Sequence, residues 1–270
     1  LTTLRFVVAL ACEAAALVRR YRMDRIEGSM PWFRSERAAL VLSGVGKSAA
    51  AAATAYLHAR TGEVPHAVWI NVGVAGHRSR PIGDIALAHT VVDDASGRRW
   101  YPTRLGGPIQ DAAEIRTVDA PRTELGTDAL YDMEASGFYP VALRFSTSEL
   151  VQSVKIVSDH GVFPVSAALV RELVESRVDR LAETADHLEG LASALGPLRR
   201  DERALAETYH SRWRFTTTEE RRLRRLLARW GTLEPAAERA PSVFDGAPSA
   251  AEVLRRLDER LRALSQERAF

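Results

Sequence analysis

Cysteine is nearly absent from this chain of 270 residues: Cys12 stands alone. No disulfide can form within the chain, and a reducing, cytoplasmic setting is expected. Long apolar runs are missing as well. None approaches the roughly 20 residues that a membrane span needs. Arg5 and the run Phe6–Ala11 before Cys12 imitate a lipoprotein signal. The apolar stretch is shorter than the roughly 7–15 residues of such a segment, so a first buried strand is the reading. Net charge is only +2, which excludes a strong field toward nucleic acid or membrane. None of the seven histidines shows H-x-x-x-H or H-E-x-x-H spacing, so no metal site is implied and no cofactor is expected. Lysine and asparagine are scarce too: Lys47, Lys155 and Asn71 are the full set. Residues that persist against an Arg-rich bias do something their substitutes cannot.

What is present describes a globular protein: 46% hydrophobic and 27% charged residues, enough to bury a sizeable core. Short apolar runs at 4–11, 38–43, 68–72, 85–92, 115–119, 129–132 and 151–158 read as strands. Helical stretches at 14–20, 47–59 and 134–144 alternate with them, so an α/β fold with a mixed, mostly parallel sheet covered by helices is expected. From Pro164 to about Leu195 the apolar spacing is helical, and Gly196-Pro197 is expected to end that helix. Residues 1–196 then form the α/β domain and 197–270 an Arg-rich helical appendage. Within the appendage Thr217 and Glu220 have capping-box spacing. Leu223, Leu226, Leu227 and Trp230 share one helical face, and a last helix from Ser249 carries Val253, Leu254, Leu257, Leu261 and Leu264. A loop with Pro235, Pro241, Gly246 and Pro248 separates the two.

Two carboxylates stand at element junctions. Glu134 lies where a strand becomes helical, and Asp159 ends a β-branched strand. Strand ends face a crevice in α/β sheets, and a charge there is either paired or functional. Lys155, four residues before Asp159, is expected on the same strand face and paired with it. Gly44-Val45-Gly46-Lys47-Ser48 invites a phosphate-loop reading, but Val41 stands where that motif needs glycine. A tight strand–helix turn is the alternative. Ser158 lacks the G-x-S-x-G setting of a nucleophile.

The order of the motifs resembles the purine nucleoside phosphorylase and nucleosidase superfamily, most closely its methylthioadenosine/S-adenosylhomocysteine nucleosidase branch. The segments are Val8–Glu13, Ser43-Gly44-Val45-Gly46-Lys47, Asn71–Gly76, Ile82-Gly83-Asp84-Ile85, Met133-Glu134-Ala135 and Ser158-Asp159, within residues 4–190. The resemblance implies hydrolysis of the N-ribosidic bond of a purine nucleoside, of the 5′-substituted adenosine type. It implies Asp159 as acid on the leaving base, Glu13 as the group that activates water, and Glu134 with Met133 on the ribose. It further implies that Gly73, Val74, Lys155 and Ser158 line the substrate. The expected partner is a small-molecule nucleoside, with no membrane or nucleic acid, in a homodimer. Two departures stand out. Val74 replaces the Ser or Thr of phosphate-using members, and the base loop shrinks to 120–127. His77 replaces a glycine and reads as a solvent-facing loop residue, with a site group as the alternative. Arg78 or Arg80 would have to reach back to hold a phosphate. A phosphorylase and a non-catalytic nucleoside-binding or scaffold protein are the alternatives.

Overall fold

Leu4–Val8 (β1) is buried along its whole length. It lies parallel to both Ala38–Leu42 (β4) and Val68–Gly76 (β5). The computed structural model describes residues 2–64, 66–162, 164–233 and 246–267. Beyond β4 the sheet continues antiparallel through Trp32–Arg34 (β3) and Asp24–Ile26 (β2). On the other side, Val151–Asp159 (β10) runs parallel to β5 over its full length.

The remaining strands close a ring. Ile85–Asp93 (β6) pairs antiparallel with β10 and parallel with Ala112–Thr117 (β8). Strand β8 pairs parallel with Ala129–Asp132 (β9), whose Tyr131 meets Gly76 of β5 antiparallel. Arg99–Trp100 (β7) flanks β6. The expected mixed sheet is found, its long ladders parallel. Its closure through β10, β6, β8, β9 and β5 is an addition.

Helices Ala11–Arg20 (α1), Lys47–Thr61 (α2) and Ala135–Ala142 (α3) cover the sheet. The Ala-rich face of α2 packs inward through Ala50, Ala53 and Leu57, against a core with Trp69, Phe138 and Tyr139. Helix α3 meets the start of α2 at Gly137, where an added Cβ would lie 1.8 Å from the Lys47 carbonyl oxygen. Gly137→Ala is therefore expected to lower stability by roughly 1–3 kcal/mol, the cost of an overpacked contact. The gain in helix propensity of about 1 kcal/mol does not offset it. Urea denaturation checks this, and an unchanged midpoint would show that the helices have room to part.

The described chain divides into two compact units, Leu1–Ser193 and Ala194–Phe270. The helix that begins at Ala167 (α4) does not end at Gly196-Pro197 as expected but runs to His210. Proline removes one N–H and crowds the carbonyl four residues back, yet here the helix continues through it. In the second unit, Thr217–Leu233 (α5) and Ala250–Glu267 (α6) bury the expected stripes together: Leu223, Leu227 and Trp230 with Val253, Leu257 and Leu261. The capping box is one residue earlier than expected. Thr216 N–H donates to the Glu219 carboxylate at 2.9 Å, and Glu219 N–H returns a bond to Thr216 Oγ1. In Thr216-Thr217-Thr218-Glu219-Glu220 both registers have the required spacing, so the sequence alone cannot choose. Pro235, Pro241 and the Leu264 side chain lie outside the described residues.

Candidate active site

Glu13 is the third residue of α1, just past the C-terminal end of β1, and is 3% exposed. One carboxylate oxygen accepts Leu10 N–H at 2.9 Å and the other accepts Val74 N–H at 2.9 Å. The helix start is thereby stitched to β5. Gly73 makes the approach possible: a Cβ there would stand 3.0 Å from Glu13 Oε1 and 3.3 Å from Lys155 Nζ. Burial dominates the protonation of Glu13 and pushes its pKa up to about 7, against the opposing pull of its two N–H donors and Lys155.

Lys155 sits beside Gly73 in the β5–β10 ladder and is fully buried. The pairing expected with Asp159 is not what forms. Lys155 Nζ lies 2.8 Å from Asp132 Oδ2 and 3.8 Å from Glu134 Oε2. The reason is a register shift between Val157 and Asp159, where Ser158 is an extra residue opposite β5. A bulge of one residue reverses the alternation. Lys155 therefore shares the face of Gly73, and Asp159 that of Gly76. Burial pulls the Lys155 ammonium toward losing its proton, but Asp132, Glu134 and Glu13 outweigh it and hold its pKa above the ordinary value.

Glu134 stands at the N-cap position of α3, but its side chain bonds the start of α2 rather than its own helix. Its Oε1 accepts Gly46 N–H at 3.0 Å. Gly46 has φ of 109°, a conformation open to glycine, where the chain turns from β4 into α2. Burial raises the Glu134 pKa, with Lys155 pulling the other way and Asp132 adding to the rise.

Asp159 closes β10 on a different wall. Gly161 N–H donates to its Oδ1 at 2.8 Å, and Ser158 Oγ lies 2.7 Å from its Oδ2. The same hydroxyl reaches the Ala75 carbonyl at 3.3 Å. Ser158 can therefore donate to an ionised Asp159, or donate to Ala75 while accepting from a protonated one. A cavity of about 40 Å³ opens here, lined by Asp159, Gly76, Leu125, Tyr131 and Met133 among others. That is room for about three waters. Leu125 closes it, lying 3.4 Å from where a Gly76 Cβ would be. The short loop is thus packed onto the strand ends.

Met133 and Glu134 join the two clusters. Met133 faces the Asp159 cavity, and the next residue faces Lys155 and Glu13. The chain's scarce residues all have polar partners. Asn71 Nδ2 donates to Val7 O at 3.1 Å, and Lys47 ion-pairs with Asp93 at 3.0 Å and Asp119 at 2.8 Å. His77 does not face solvent: it is 1% exposed. Its Nδ1 accepts Ser79 and Arg80 N–H, so Nε2 carries the proton toward Asp128 at 3.2 Å. Burial lowers its pKa. Arg80 donates to Ala112 O and Arg78 pairs with Asp128.

No protein-family model matches the chain, and no curated protein matches it significantly. Solved structures do. A 5′-methylthioadenosine/S-adenosylhomocysteine nucleosidase from S. pneumoniae aligns at 18% identity and TM-score 0.55, over 67% of this chain and 97% of that one. The 5′-methylthioadenosine nucleosidase of Arabidopsis thaliana aligns at 20% identity and TM-score 0.54, over 71% and 96%. Futalosine hydrolase of Helicobacter pylori aligns at 13% identity and TM-score 0.56, over 69% and 98%. No helix among the described residues is long and apolar enough to cross a membrane. The first unit thus has the fold of these nucleosidase and hydrolase structures, the fold that the resemblance of the sequence motifs implies.

Proposed function

We propose that this protein hydrolyses the N-ribosidic bond of a purine nucleoside, of the 5′-substituted adenosine type (methylthioadenosine, S-adenosylhomocysteine or 5′-deoxyadenosine). One observation carries the reading: Met133 and Glu134 are consecutive, and they connect the Asp159 cavity to the Glu13–Lys155 cluster. A nucleoside laid across them has its base at Asp159, its sugar at Met133 and Glu134, and its anomeric carbon toward Glu13. Breaking the bond leaves electron density on the base and positive charge on the sugar. Asp159 protonates the departing base. Glu134 accepts the ribose hydroxyls. Glu13 takes the proton of the attacking water. The buried carboxylates stabilise the cationic sugar more strongly than they would in water. Entry of the base displaces Leu125 and its loop.

Water rather than phosphate is the nucleophile in this reading. A phosphate dianion needs several donors or cations to offset its desolvation. Val74 has no side-chain donor, and the Val74 N–H is spent on Glu13. Lys155 is held by Asp132, and Lys47 is held by Asp93 and Asp119. A panel of purine nucleosides, scanned for released base, tests the reading. Base release is expected to be independent of added phosphate, with a free ribose derivative as the second product. Ribose 1-phosphate, formed at a rate that saturates with phosphate, would assign the phosphorolytic alternative instead.

A further inference from the structure

Asp132 spends its whole carboxylate on the protein. Oδ2 meets Lys155 Nζ at 2.8 Å, Ala135 N–H at 2.8 Å and Glu134 N–H at 3.3 Å. Oδ1 accepts the Thr117 hydroxyl at 2.7 Å, and that hydroxyl oxygen accepts Ser136 N–H at 2.9 Å. The residue is 4% exposed. It joins the ends of β8 and β9 and the middle of β10 to the start of α3, one residue before the Met133–Glu134 pair. A helix cap alone needs a hydroxyl or amide as much as a carboxylate. Nothing in capping calls for a negative charge buried against an ammonium.

We propose that Asp132 is a positioning residue of the site: by holding the Lys155 ammonium at the end of β9, it leaves Glu13 free to take a proton from water. The consequence for hydrolysis rests on the nucleosidase reading above; the placement of the charges does not. Three carboxylates, Glu13, Asp132 and Glu134, surround one ammonium. Glu13 is faced by Lys155 from β10, by Glu134 from the β9–α3 junction, and by the N–H groups of Leu10 and Val74. Its chain neighbour Cys12 has Arg171 of α4 nearby. Glu134 is faced by Lys155, Asp132 and Gly46 N–H. An ammonium committed to Glu13 would neutralise that carboxylate and make it a poor acceptor. Asp132 is the nearest anion and takes the charge instead.

Removing the negative charge at 132 frees Lys155 for Glu13 and Glu134, and both then hold their protons less tightly. Asp132→Asn keeps the shape, and Asp132→Ser keeps a good cap; both remove the charge. The test is a pH titration of ¹³C-carboxyl-labelled glutamates by NMR, with the Glu13 signal assigned by its loss in Glu13→Gln. The Glu13 midpoint is expected to fall by about one pH unit in either variant, the usual scale for a neighbouring charge. In the active enzyme the acid limb of kcat moves to lower pH by the same amount. Thr117→Val, which weakens the same junction without changing charge, leaves the midpoint in place. An unmoved midpoint in whichever Asp132 variant folds, even with a lower plateau rate, would reduce Asp132 to a cap and overturn the proposal. Should the unsubstituted chain cleave no nucleoside, the nucleosidase reading fails while the titration still decides the role of Asp132.

Discussion

Asp159→Asn is expected to lower the rate of base release by about 10²–10⁴, the usual contribution of a positioned general acid. Folding and nucleoside affinity should stay close to those of the unsubstituted chain. The substitution isolates proton donation from everything else Asp159 does. The amide oxygen still accepts Gly161 N–H, and the amide nitrogen donates to Ser158 Oγ, which turns its own hydrogen to the Ala75 carbonyl. The local hydrogen bonds are therefore conserved in number. What is lost is a proton that can follow the bonding electrons onto the base. Single-turnover measurement of base release, with circular dichroism on the same sample, checks the expectation. Near-normal turnover in a folded variant would remove Asp159 from the acid role.

The strands that carry the site were legible because burial wrote them plainly. Val68–Val72 and Val151–Ser158 are rich in Val and Ile, and both are covered on two faces. Strands β2, β3 and β7 are two or three residues long, too short for alternation to show. Ring closure was hidden for another reason. Periodicity tells which face of a strand is buried but not which strand lies beside it, and β10 pairs with both β5 and β6.

In the site, motif order picked out Glu13, Glu134 and Asp159, and the structure puts each at the end of a strand around β5. Strict alternation pairs Lys155 with Asp159 because it assumes a regular strand, and Ser158 interrupts that strand. Nothing in Val154–Asp159 marks that bulge; it appears only once β5 lies alongside. The role of Asp132 is hidden in the sequence, since its partners Thr117 and Lys155 are 15 and 23 positions away. The signal that pointed there was scarcity. One of two lysines in an Arg-rich chain stands in the middle of a buried strand, and a buried cation requires an anion close by. A histidine in a glycine-rich loop is usually exposed, but the His77 ring accepts the next turn's N–H groups from inside.

Glu13→Gln is expected to abolish the proton acceptor and cost about 10²–10⁴ in turnover, with a signature in stability that no surface glutamate would show. Glu13 is buried, and its pKa in the folded chain is pushed up to about 7 from 4.5, mainly by desolvation. The two consequences have opposite signs. For catalysis Glu13 must be ionised, so the acid limb of the rate should rise with pH through about 7. For stability, the folded state binds a proton more tightly than the unfolded state does. The contribution of Glu13 is therefore fully present below about pH 4.5 and is lost as pH rises through about 7. The window corresponds to roughly 3–4 kcal/mol. Glutamine cannot titrate, though its amide loses the bond with either Leu10 N–H or Val74 N–H, a constant cost at every pH. The stability of the unsubstituted chain relative to Glu13→Gln should thus decline between about pH 4.5 and 7 and then stay flat. Urea unfolding of both chains across that range measures the difference directly. A difference that does not vary with pH would mean that Glu13 titrates at its ordinary value, and would leave it too weak a base to activate water near neutrality.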